Sequence, residues 1–224
     1  MMPRSPLESE ILFRIGVIPI ARSVVTSTCI VALLAFVSWA ITRRFDDRPG
    51  RLQTAIEALV VTVGDQVRGV IGRDPEPFLP IIGTLFLFIV IANLSAVVPG
   101  VESPTASIET PAALALAVFF SVHVYGVREK GVFRYLASFL KPNPLLLPIR
   151  ILSELTRTVS LTVRLFGNMM SHELVLGVIA AIAGLLVPIP FLALGVLIGV
   201  IQAYIFSILA TVYLGAAIGA VEEG

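Results

Sequence analysis

The chain has 224 residues, 57% of them hydrophobic and 14% charged, with a formal net charge of +1. Soluble domains carry about 25% charged residues, so this composition excludes one and points to a membrane protein. The balanced charge, with no basic face or run, leaves no nucleic-acid signature.

The single cysteine, Cys29, lies in an apolar run and cannot form an internal disulfide. Two histidines and one cysteine, all far apart, argue against a structural zinc site. Arg4, Glu8, Glu10 and Arg14 interrupt any signal-peptide core, so the first hydrophobic helix is expected to act as an uncleaved insertion signal.

That first span runs over about 24–41 without a charge, long enough to cross a hydrocarbon core of about 30 Å. Trp39 suits an interfacial belt. Arg43, Arg44, Arg48 and Arg51 follow, against Asp46 and Asp47. The positive-inside rule makes that end cytoplasmic and the N-terminus external. Over 52–71, apolar residues recur at helical spacing, interrupted by Glu57, Asp65, Gln66 and Arg68. This predicts an amphipathic helix on the cytoplasmic interface.

The second span, about 78–98, has Asn93 as its one strongly polar side chain. The loop from Pro99 to Pro111 holds Glu102 and Glu109 but no Lys or Arg, which fits the outside. Those two acids read as a solvated loop or as cation collectors at a mouth. The third span, about 112–127, contains His123 and ends in Arg128, Glu129, Lys130 and Arg134, a cytoplasmic signal. Pro142, Pro144 and Pro148 then punctuate the chain. Two long helices are expected over about 149–187 and 191–221, joined by a turn at Val187–Pro190 and exceeding the roughly 20 residues of a perpendicular span. They are expected to tilt or to extend beyond the core. There are no duplicated halves to support an inverted-repeat transporter.

Charge concentrates where it is least expected, from Ser153 to Glu173. An ionised side chain at membrane depth costs at least about 2.5 kcal/mol and is by default a functional-site hypothesis. Ser153, Arg157, Ser160, Arg164, Asn168 and Ser171/His172 step by three or four, giving one polar face that must meet protein or water. On the last helix, Gly195, Gly199, Gln202, Phe206 and Leu209 follow at helical spacing. The glycines permit close helix approach. The turn would bring Gln202 to about the depth of Arg164 or Ser171. Glu154 and Glu173 lie ten and nine residues from Arg164, about 13–15 Å along the helix and too far to pair with it. A structural role for Arg164 inside the bundle stays open, but a carboxylate supplied by a partner is the sharper reading. His172 reads as a buried, satisfied histidine or as a channel group, Asn93 as interhelical glue or channel lining, and Arg157 as a snorkelling side chain or a site residue.

The run Ser160-Leu161-Thr162-Val163-Arg164-Leu165-Phe166-Gly167-Asn168-Met169 resembles subunit a of F-type ATP synthases. Gln202-Ala203-Tyr204-Ile205-Phe206 with Thr211-Val212-Tyr213-Leu214, and Asn93-Leu94 with Pro104-Thr105-Ala106, resemble the same family. The likeness covers essentially the whole chain and is weakest before about residue 75. It implies a single all-α membrane domain over 1–224, a helical bundle with an interfacial helix and a long tilted C-terminal hairpin. It also implies a multi-pass stator subunit of a bacterial inner membrane with its C-terminus in the cytoplasm. Its partners would be a ring of c subunits, b-type stator subunits, the other ATP synthase subunits and membrane lipid. No cofactor is implied, and ATP chemistry would belong to other subunits.

In that family, ions pass through two offset half-channels against the ring. The resemblance assigns Arg164 to the essential arginine facing the ring's carboxylate. Asn168, His172, Glu173 and Gln202 would be polar lining, with His172 and Glu173 toward the outside and Ser160 toward the cytoplasm. Glu154, Arg157, Asn93 and Tyr213 are further candidates. Two positions depart from the pattern. Arg150 stands where many members carry an acid, and His172 with Gly195 reverses the usual small-residue and histidine pair. The short N-terminus is similar to the N-type branch. H⁺ is favoured, with Na⁺ open because the ion-binding carboxylate would lie on the c subunit. The rival readings are a stand-alone secondary cation transporter component and a membrane anchor for assembly.

Overall fold

The computed structural model describes residues 11–15, 18–43, 51–98, 101–140, 145, 147–184 and 187–219. The charges at Arg4, Glu8, Glu10, Arg44, Asp46, Asp47 and Arg48, the prolines Pro142 and Pro144, and Glu222 and Glu223 lie outside the described residues.

Helices make up the described chain except for a short antiparallel hairpin, β1 (Ile11–Ile15) and β2 (Ile18–Ala21), which the composition does not suggest. The helices are α1 (Arg22–Thr42), α2 (Arg51–Ile71), α3 (Leu79–Leu94), α4 (Glu109–Lys130), α5 (Val132–Leu140), α6 (Leu147–Ala183) and α7 (Pro188–Ile218). Single 3₁₀ turns follow α3 (Ser95–Val97) and precede α4 (Pro104–Ala106). Five of these helices are long and apolar enough to cross a membrane: α1, α3, α4, α6 and α7.

Inside lipid every polar group needs a partner from the chain itself. Thr28, Thr84 and Thr156 meet that demand locally, each hydroxyl donating to the carbonyl four residues back at 2.7, 2.6 and 2.7 Å. Helix ends follow from residue chemistry. Pro188 opens α7, where a missing N–H leaves no bond unmade. Gly219 closes it in the left-handed helical conformation at φ +86° and ψ 10°, and Gly131 closes α4 at a different positive-φ conformation, φ +77° and ψ 153°, which glycine also reaches without strain.

The core forms where α3, α4, α6 and α7 meet. Ile89 and Ala92 of α3, Ala115 of α4, Leu165 of α6 and Ala203 of α7 are completely inaccessible. α7 is apolar almost all round, so periodicity alone does not choose its inner face. Small residues choose it: Gly195, Gly199, Ala203 and Ala210 are buried and let neighbours approach closely. α2 is amphipathic as expected, but it docks by its second half. Val63, Val67 and Ile71 are buried toward the bundle, while Ile56 and Val60 face away. α6, at 37 residues, runs about 55 Å, well beyond a perpendicular span. α5 is a further short amphipathic helix, in a stretch to which the sequence pattern assigns no element. Its Tyr135 is buried at the space left open by Gly126, and Phe133 is 90% exposed.

Candidate functional site

On α6 the inward face is Leu161, Leu165 and Met169, spaced four apart and fully packed. The polar stripe lies beside it. Arg164, Asn168 and Ser171 are exposed on the isolated chain, and Arg157, Ser160 and His172 are half-buried. Arg164 has no ion pair or hydrogen bond among the described residues. The two acids of its own helix are engaged elsewhere. Glu154 pairs with Arg157 at 3.2 Å, one turn away, and Glu173 accepts the backbone N–H of Ser103 at 2.8 Å. Arg164 is thus a permanent cation on an open face, with no anion supplied by its own chain among the described residues.

The α6–α7 hairpin fixes the register that helical spacing only brackets. Asn168 Nδ2 donates to Gln202 Oε1 at 2.7 Å, so Gln202 lies one turn from Arg164 toward the α6–α7 turn. One turn further, His172 lies directly against Gly195, whose missing side chain makes the space for the imidazole. Its Nε2 is 3.0 Å from the Phe191 carbonyl oxygen, which only accepts, so this nitrogen carries a proton. His172 Nδ1 and Gln202 Nε2 are buried with no hydrogen-bond partner among the described residues. Beside His172 is a chamber of about 10 Å³, lined also by Asn93, Met169 and Gly195, about the room taken by a single water.

The loop after α3 keeps Glu102 and Glu109 exposed, as expected, but its middle is packed. Ser103, Pro104 and Thr105 are buried, inserted among α1, α3, α4 and α6. Thr105 donates to Asn93 Oδ1 at 2.7 Å, and Asn93 Nδ2 donates to the Gly199 carbonyl at 2.8 Å. Asn93 therefore ties α3 to α7, and a Cβ on Gly199 would fall 2.8 Å from that of Asn93. Glu102 stays largely exposed, with Arg22 of α1 at 3.8 Å. Glu109 opens α4, where a negative charge suits the helix dipole.

The other end of α6 is built differently. A cavity of about 580 Å³ opens between α4, α5, α6 and α7. Lys130, Arg150 and Arg157 line it against one acid, Glu154, with Ser153, Tyr135 and Tyr213. The Arg157 guanidinium lies 5.2 Å from the Tyr213 ring centre, a cation–π contact. Arg150 donates to the Ser138 carbonyl at 2.6 Å, joining α5 to α6. Burial, with the Glu154 carboxylate adding to it, raises the Tyr135 phenol above its ordinary value, so it stays a neutral hydroxyl. Ser160 borders a second, smaller opening with Arg157 and Tyr213.

His123 belongs to neither place. Its Nδ1 is 2.8 Å from the Phe119 carbonyl, and its ring packs with Phe119, Tyr135 and Phe139 between α4 and α5. The structure thus gathers Asn93, Asn168, His172, Glu173 and Gln202 at one end, and Glu154, Arg157, Ser160 and Tyr213 at the other, with Arg164 between. Sequence reasoning misses Ser103 and Tyr135. The signal for Ser103 is a run of short polar residues beside Pro104, and for Tyr135 it is the apolar spacing within 132–140.

Against known proteins, a family model described as ATP synthase A chain matches residues 24–215. The chain belongs to the ATP synthase A chain family. It is 56% identical over 223 residues to "ATP synthase subunit a 2" of Bradyrhizobium sp., covering 100% of both chains. It is 46% identical over 212 residues to "ATP synthase subunit a 1" of Chlorobaculum parvum, covering 94% of each. With "ATP synthase subunit a 2" of Acaryochloris marina it shares 42% over 212 residues, 94% of this chain and 91% of that one. Family membership makes it a multi-pass membrane subunit of an ATP synthase, not itself the catalyst.

Proposed function

We propose that this chain is the ion-conducting stator of its ATP synthase, working against a ring of c subunits that each carry one carboxylate. The observation that carries the reading is Arg164, which is exposed in mid-helix and unpaired among the described residues. A fixed guanidinium favours the ionised form of an acid that moves past it, which releases the proton. It also stands as a barrier to direct leakage between the two ends of α6. The outer half-channel runs by Glu173 and His172 toward Asn168 and Gln202, with Asn93 holding its wall. The inner one is the cation-lined cavity with Glu154, Arg157 and Tyr213, together with the smaller opening at Ser160. An imidazole and a carboxylate exchange protons, which favours H⁺ over Na⁺. The clusters at Arg43 and at Arg128 to Arg134 support a cytoplasmic C-terminus for α1 and for α4, leaving the N-terminus outside.

The test is ATP-driven ion uptake by vesicles holding the assembled complex. Arg164→Ala abolishes uptake while the chain stays in the complex, and the chain reconstituted alone transports nothing. Unchanged coupled uptake by Arg164→Ala would support an anchoring role and overturn the proposal. Transport by the chain alone would favour the secondary-transporter reading.

A further inference from the structure

We propose that Ser103 is a positioning residue for ion transfer, holding the outer segment so that its backbone N–H fixes the carboxylate of Glu173. The inference rests on Glu173 being part of the outer path, as proposed above. Ser103 is 1% exposed and precedes the 3₁₀ turn Pro104–Ala106. A serine before a helical turn ordinarily turns its hydroxyl onto that turn's own N–H groups. This one makes no such cap. Its hydroxyl instead donates to the Ala92 carbonyl near the end of α3 at 2.8 Å and lies 2.7 Å from Thr105 Oγ1. Thr105 in turn is anchored to Asn93 at 2.7 Å. Pro104 stiffens the backbone on the other side.

With its side chain anchored inward and its backbone extended at φ −64° and ψ 128°, Ser103 presents its N–H to Glu173 Oε1 at 2.8 Å. A donor to a carboxylate is among the stronger hydrogen bonds. It leaves one carboxylate oxygen held and the other available for exchange with water. Glu102, the adjacent acid, is turned outward toward Arg22 and does not share this role. An outer loop segment thereby sets the aim of a group on a different helix, the one that faces the moving partner.

The experiment compares Ser103→Ala, Glu173→Gln and the double variant in the assembled complex, reading ATP-driven uptake across a range of outer pH alongside the amount of chain assembled. Ser103→Ala keeps the backbone N–H but removes the hydroxyl's bond to the Ala92 carbonyl, and is expected to slow uptake about tenfold, the equivalent of about 1.4 kcal/mol and within the range of one neutral hydrogen bond. It is also expected to displace the outer-pH profile in the same sense as Glu173→Gln, and to add less than about twofold on the Glu173→Gln background. Should Ser103→Ala lower assembly, Ser103→Cys keeps the size, weakens the anchoring bonds and carries the same comparison. Equal slowing by Ser103→Ala with and without Glu173, or an unchanged pH profile, overturns the proposal and leaves the path reading intact. Normal uptake by Glu173→Gln alone removes Glu173 from the path and overturns both.

Discussion

The two ends of α6 solve opposite problems. The Glu173 end is tightly tied. Glu173, His172 and Asn168 each meet a partner from another part of the chain, and the free space beside His172 is about the size of one water. The Glu154 end is open, about 580 Å³ in volume, and its ion pair and cation–π contact both involve Arg157. A closed, hydrogen-bonded arrangement holds groups at fixed distances and suffers from any added atom. An open one tolerates substitution and leaves room for what a partner brings. One end of α6 is thus bound up within the chain, and the other is left with room.

The largest break in this contrast should come from Gly195→Ala. The new Cβ would occupy the position of the His172 ring, and overpacking of this kind costs about 1–3 kcal/mol. Ion uptake and assembly should both fall about tenfold or more, and a second change, His172→Ser, should restore assembly because it vacates that space. Failure of the second change to restore assembly would show that the contact is not what limits the hairpin. A smaller effect is expected at the open end. Glu154→Gln removes the partner of a half-exposed Arg157 that keeps its Tyr213 contact, so uptake should fall by no more than about threefold, in keeping with about 0–1 kcal/mol for exposed pairs. A loss as large as that of Gly195→Ala would erase the distinction between the two ends. The least effect belongs to Glu102→Gln, where the Arg22 pair is long and exposed, and uptake should stay within about twofold of the parent.

Much of this contrast is legible in the amino-acid sequence alone. Arg164 stands out because nine or more residues separate it from either acid on its helix, and the fold commits both acids to other groups. Gly195 and Gly199 announce close approach, and they receive His172 and Asn93. Gln202 is bracketed by helical spacing between Arg164 and Ser171, and it lies with Asn168. The single polar face is an approximation. Residues three or four apart drift around a helix of 3.6 residues per turn, so Arg164 and Asn168 remain open while Arg157 and His172 turn partly inward. Ser103 and Thr105 are invisible for a different reason. Short polar residues outside a span look the same whether solvated or buried, and only the carbonyl they meet at the end of α3 tells them apart. α5 is hidden by its length, since nine residues give only about two and a half turns of pattern.

The exposed Arg164 also bears on how the subunit comes to be where it works. Before its partner arrives, that guanidinium faces hydrocarbon or must draw water inward, at about 2.5–3.5 kcal/mol by insertion scales. Relief of that penalty on docking corresponds to about two orders of magnitude in equilibrium. On the function proposed above, the charge that bars leakage also makes the solitary subunit the disfavoured state and favours its docking against the ring.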